Sequence, residues 1–155
     1  MPQHFRVFIA SPSDVHHERQ ALFELVHRLP YDPLLRGRIT LEVVAWDGPY
    51  GGVPLLATLD PQSAITTGLP MPSECEIVIV IVKSRLGTPL AERYANEFGL
   101  TQVTGTEWEY LDALRGSLAV DGPTVLVYRY TGPVQQDLRA SELVPDAVAQ
   151  LQLVD

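Results

Sequence analysis

The stretch Gly105-Thr106-Glu107-Trp108-Glu109-Tyr110-Leu111-Asp112-Ala113-Leu114 places two carboxylates and an indole on the first turn of a predicted helix. A helix N-terminus carries unpaired N–H groups and about half a positive charge, so it holds anions and phosphates. A glutamate there, beside an aromatic ring, suits a sugar that bears a good leaving group. The same residues also suit a purely structural task. Thr106 and Glu109 have the spacing of a capping box, and so do Thr104 and Glu107. Trp108 reads first as a packing residue and second as a stacking surface.

In an open parallel sheet, ligands bind beyond the carboxyl ends of the strands, where the strand order reverses. Four segments belong at that edge: Ser11 to Asp14, Trp46 to Gly48, Lys83 to Thr88, and Gly105 to Glu109. They assemble Ser11, Asp14, Trp46, Asp47, Arg85, Glu107, Trp108 and Glu109 into a candidate pocket for a nucleotide-like ligand. In that pocket Trp46 or Trp108 stacks on a ring, and Asp47 accepts hydrogen bonds from ribose hydroxyls. Ser11, with the start of the first helix, holds a phosphate, and Arg85 pairs with one. Each has a plainer reading: Asp14 as a helix cap, Arg85 as half of a surface ion pair.

The elements that must position these residues alternate between strand and helix. Phe5 to Ala10 is a largely apolar run and predicts a central strand. Ser11-Pro12-Ser13-Asp14 then combines an N-cap, a proline suited to the first helical position and a capping carboxylate. Val15, Leu22, Leu25, Val26 and Leu29 follow at helical spacing, and Pro30 stops the helix. Ile39 to Trp46 alternates as a strand nearer an edge does. Asp60-Pro61 opens a short predicted helix to about Thr67, and Glu76 to Lys83 has the unbroken apolar run of a strand buried on both faces. Ser84 to Val103 is a long connection without regular structure, which marks it as mobile or functional. Thr124 to Tyr130 is a fourth strand, with Tyr128 and Tyr130 packing from one face. Pro145 to Leu153 predicts a last helix within a C-terminal tail, 131–155. The alternation predicts one α/β domain with a parallel sheet covered on both sides.

Composition removes several function classes. A length of 155 residues with 46% apolar and 19% charged residues is that of one globular domain with a real core. A net charge of −8 with scattered Lys and Arg argues against nucleic-acid binding. One cysteine, Cys75, leaves no internal disulfide and fits a reducing cytosol. Adjacent His16 and His17 point apart on a helix, so no metal site is expected. The start of the chain lacks a signal pattern, and the run Ile77 to Val82 is too short to span a bilayer, so a cytoplasmic domain without membrane attachment is expected. No GxGxxG, no GxxxxGK[ST] and no GxSxG motif is present.

The segments Phe8 to Val15 with Glu18-Arg19, Pro61-Gln62 with Ile65, Ser84-Arg85-Leu86-Gly87-Thr88-Pro89, and Gly105-Thr106-Glu107-Trp108-Glu109 occur in order over about 5–130. Together they resemble the TIR-like domain of unknown function found at the N-terminus of bacterial STAND-type NTPases and related conflict-system proteins. The resemblance implies a flavodoxin-like (TIR-like) parallel sheet of four to five strands with helices on both faces. It implies an effector or signalling module in bacterial defence, fused to downstream NTPase and repeat domains and acting by self-association. Two relatives assign roles. In NAD-cleaving TIR domains a glutamate opens the helix after the third strand and precedes an apolar segment ending in Ala-Leu, as Glu109 to Leu114 does. In nucleoside deoxyribosyltransferases a Gly-Thr-x-x-Glu motif supplies the attacking glutamate, as Gly105 to Glu109 does. Both select Glu109 over Glu107. The chain departs from the first in lacking the cysteine before the glutamate, and from the second in having Leu111 or Asp112 where a glycine follows. The resemblance therefore implies hydrolysis of NAD at the nicotinamide bond, with NAD as substrate and no cofactor. The alternatives are a non-catalytic interaction module, which recruits partners or self-associates through the Trp46 to Pro54 and Ser84 to Val103 loops, and a nucleotide or deoxynucleoside N-glycosidase.

Overall fold

Four parallel strands form one sheet in the order β2-β1-β3-β4, with β1 Gln3–Ala10, β2 Ile39–Val44, β3 Ile77–Val82 and β4 Thr124–Arg129. The computed structural model describes residues 1–45 and 69–133. Trp46, Asp47, the predicted helix from Asp60 and the predicted C-terminal helix lie outside them. The strand order reverses between β1 and β3, the arrangement of a flavodoxin-like α/β fold.

The register explains which side chains are buried. Val7 pairs with Val43 on one side and Ile77 on the other, so the second half of β1 lies inside the sheet. Val7 to Ala10 are all buried, as are Val78 to Ile81 in β3. Val7, Ile9, Ile79 and Ile81 share one face and pack with Val15, Phe23 and Val26 of the first helical segment. Phe8, Ala10, Val78 and Val80 share the other, with Ala113 and Cys75. Strand β2 is an edge and alternates as expected, its even-numbered Thr40 and Glu42 exposed.

Helix α1 spans His16–Arg28 and is entered through a 3-10 turn, Ser13–Val15. The expected cap is not made: neither Ser11 nor Asp14 caps the segment through its side chain. The Asp14 carboxylate instead accepts two hydrogen bonds from Ser84 beyond β3, and a charged acceptor gains more from two donors than from one local amide. The buried face of α1 also differs from expectation. Phe23 fills the core, whereas Leu25 is 51% exposed.

The connection after β3 is folded rather than structureless. It contains a short helix, α2 (Glu92–Asn96), and an antiparallel bridge between Pro89 and Thr104. Tyr94, Ala95, Val103 and Trp108 give it a small core of its own. Helix α3, Gly105–Gly116, then returns over the second face of the sheet to β4. Gly116 lies where an added Cβ would stand 2.7 Å from the Ser73 Cβ, so only glycine admits the 3-10 turn Pro72–Glu74 against the end of α3.

At the opposite edge of the sheet, Arg6 holds Glu76 through its backbone N–H (2.6 Å) and its guanidinium (2.8 Å). These bonds draw the Glu76 carboxyl down to about 2. Strand β4 leaves Val127 and Tyr128 exposed, so the packing expected of Tyr128 is not made among the described residues, while Tyr130, just beyond the strand, carries the Lys83 ammonium 4.5 Å from its ring centre.

Candidate functional site

The loops beyond β1 and β3 and the start of α3 are joined by a continuous set of hydrogen bonds. Asp14 Oδ2 accepts from the Ser84 hydroxyl at 2.6 Å and from the Ser84 N–H at 3.2 Å, bridging the point where strand order reverses. Its other oxygen, Oδ1, is buried with no hydrogen-bond partner among the described residues. Ser11 accepts a bond from Arg19, a buried arginine whose guanidinium lies 5.5 Å from the Phe23 ring centre. Sequence reasoning missed Arg19 as a site residue. Its signal is its place four residues after buried Val15, on the face of α1 that meets the sheet.

Two residues farther along, the β3 loop docks on α3. Leu86 presents its carbonyl to the Thr104 hydroxyl, and Thr88 presents its carbonyl to the Gly105 N–H at 3.0 Å. This approach requires Gly87. Its φ is +101°, and a Cβ there would stand 3.1 Å from Thr106 Oγ1.

The helix start separates the two glutamates. Thr104 is the N-cap, and Glu107 closes the box: its carboxylate accepts from the Thr104 N–H at 3.3 Å, while the Glu107 N–H donates to Thr104 Oγ1 at 3.4 Å. Thr106 sits inside the helix, so the second possible box, Thr106 with Glu109, does not form. With the cap taken by Glu107 and Gly105 donating to Thr88, the first turn of α3 is largely satisfied from within the chain. Glu109 lies beyond the cap and is 7% exposed. It shares a helix face with Asp112 and Ala113, both 0% exposed. Asp112 is held structurally, accepting from Ser73 N–H at 2.9 Å and from Arg115 at 2.8 Å.

Trp108 is a packing residue. It is 3% exposed, its ring meets Tyr94 edge-on at 5.7 Å, and its N–H donates to Glu97 at 3.2 Å. Arg85 is exposed and makes no hydrogen bond or ion pair among the described residues, so the surface pair expected for it is not formed. Trp46 and Asp47 lie outside the described residues. The structure thus brings Ser11, Asp14, the Arg85 loop and Glu107 into one connected edge, with Glu109 behind the cap.

Other chemistries find less support. Cys75 is buried, and desolvation pushes its thiol up to about 12, far from a nucleophilic thiolate at neutral pH. Among the described residues no three His, Cys, Asp or Glu side chains form a group able to hold a metal, and no helix is long and apolar enough to cross a membrane. A large apolar groove, about 630 Å³, lies between α1 and the sheet, and among the described residues its walls include none of the candidate site residues. No protein-family model, curated protein or solved structure matches the chain.

Proposed function

We propose that this chain is a TIR-like, self-associating cytoplasmic effector domain that hydrolyses NAD at its nicotinamide N-glycosidic bond, with Glu109 as the catalytic carboxylate. The observation that carries the reading is the division of labour at the start of α3. Glu107 caps the helix, and Glu109, one turn into the same helix and outside the capping box, is a buried carboxylate on a helix that begins beyond the strand-order reversal.

The chemistry asks little else of the protein. The nicotinamide of NAD is already cationic, so the C1′–N bond breaks with its electron pair moving to the ring nitrogen and needs no general acid. Positive charge grows at C1′, where the Glu109 carboxylate stabilises it. Water adds at C1′ and releases a proton, giving nicotinamide and ADP-ribose. Arg85, exposed and unpaired among the described residues, is available to a phosphate. Ser11 reaches one only alongside its partner Arg19.

The test is nicotinamide release from NAD by the wild type and by Glu109→Gln, at high protein concentration and in the full-length gene product. Turnover in the wild type and a loss of at least about 100-fold in the variant, at matched melting temperature, are expected. Equal turnover removes Glu109 from the mechanism. Cleavage of nucleotides or deoxynucleosides in place of NAD makes the chain an N-glycosidase of another substrate. No turnover and no shift in melting temperature with NAD leave a non-catalytic interaction module, because a bound ligand raises apparent stability by mass action.

A further inference from the structure

The ladder between β1 and β3 is prolonged by a side chain. It runs from Val7 with Ile77 to Ala10 with Val80, and the same register carried onward sets Asp14 level with Ser84. By then the chain has left the strand for the 3-10 turn Ser13–Val15. The Asp14 carboxylate takes over the acceptor's place, receiving the Ser84 N–H at 3.2 Å and the Ser84 hydroxyl at 2.6 Å. An ionised acceptor makes such bonds stronger than a neutral one does.

These bonds are the first of a series that sets the loop after β3. Leu86 accepts from the Thr104 hydroxyl, Thr88 accepts from the Gly105 N–H at 3.0 Å, and the Leu90 N–H donates to Val103 at 2.9 Å. Arg85 therefore stands between two anchored neighbours, Ser84 and Leu86, while its own side chain is exposed and unpaired among the described residues. Asp14 is not placed to meet an anion itself. Its Oδ2 is engaged with Ser84, its Oδ1 is buried, and its charge repels a phosphate.

We propose that Asp14 is a positioning residue: by holding Ser84 it fixes the backbone of Arg85 and presents that guanidinium to the diphosphate of a nucleotide. The proposal deepens the NAD reading and rests on its use of Arg85 as a phosphate partner. A guanidinium on a fixed backbone loses less freedom on binding than one on a loose loop. Fixing the backbone of one residue is equivalent to about a 5- to 30-fold change in affinity.

The experiment is NMR on the full chain, reading Arg85 N–H order and the Arg85 side-chain Nε–H shift during titration with inorganic pyrophosphate. In the wild type Arg85 should have an order parameter near the rigid value of about 0.85 and shift on titration. Asp14→Ala should drop that order below about 0.6 and weaken binding about 5- to 30-fold. Asp14→Asn keeps an oxygen acceptor for Ser84 and should restore affinity to within about 3-fold. Arg85→Gln should abolish binding. If Asp14→Ala fails to fold, Ser84→Ala replaces it; this variant removes only the hydroxyl bond and should weaken binding about 3-fold.

Four results overturn the proposal. Arg85 does not respond to pyrophosphate in the wild type; the Asp14→Ala loop loosens with affinity unchanged, which leaves Asp14 a purely structural role; Asp14→Asn binds as weakly as Asp14→Ala, which makes charge rather than the bond decisive; or Arg85→Gln binds as well as the wild type. Pyrophosphate has no glycosidic bond, so none of these outcomes depends on whether NAD is cleaved.

Discussion

Removing the Glu107 side chain tests whether the two glutamates of α3 have separate tasks. Glu107→Ala deletes the acceptor for the Thr104 N–H and one negative charge near the helix N-terminus. A cap substitution typically costs about 1 kcal/mol, and a first-turn carboxylate adds about 0.3–1 kcal/mol through the helix dipole. The two bonds of this box are long, 3.3 and 3.4 Å, which places the effect toward the lower end, about 1 kcal/mol in all. For a chain of this size that is a fall of roughly 2–4 °C in melting temperature. Glu107→Gln keeps an acceptor at the same position and loses only the charge, so its effect should be less than half as large. Thermal and urea unfolding measure both. NAD turnover per folded molecule should stay within about 3-fold of wild type in both variants, against a loss of about 100-fold or more for Glu109→Gln. A Glu107→Gln variant as inactive as Glu109→Gln, with unchanged stability, would refute the assignment of capping to one residue and catalysis to the other.

Gly87→Ala should cost more than about 1 kcal/mol, since φ of +101° disfavours any Cβ and the new methyl meets Thr106 at 3.1 Å; urea unfolding measures it, and a neutral result contradicts the tight docking of this loop. The Glu76 carboxyl titrates at about 2 against an ordinary 4.5, so its contribution to stability is complete above pH 4.5 and is lost as pH falls toward 2. With Glu76 38% exposed, solvent screening limits that contribution to about 1 kcal/mol. The stability gap between wild type and Glu76→Gln should therefore shrink across that window, and a gap independent of pH argues against the Arg6 pair as its source. Cys75 should react with thiol reagents at pH 8 only as fast as the protein unfolds, because burial holds the thiol at about 12; rapid labelling of the folded protein contradicts this placement.

Local patterns account for much of what could be read in advance. The apolar run in β3, the alternation in β2 and the Thr104–Glu107 box each follow from a period or a backbone donor within a few residues. Capping was the harder case. Two overlapping boxes were legible, and only the docking of Leu86 on Thr104 selected the first, placing Glu109 behind the cap. The Ser84 to Val103 connection looked structureless because its core is made by residues of different local types, Tyr94, Val103 and Trp108, with no shared period.

What the sequence by itself determined is the four strands, the helices α1 and α3 and the order of these six elements, since strand and helix periods are written in neighbouring residues. Tertiary structure alone decided the partners: Asp14 with Ser84, seventy positions apart, Arg19 with Ser11 beneath the sheet edge, and Trp108 with Glu97 and Tyr94. It also decided that Leu25 and Tyr128 line one apolar groove. The physical reason is that a buried polar group takes the best donor or acceptor that the strand order brings near it, and strand order is a property of the whole sheet.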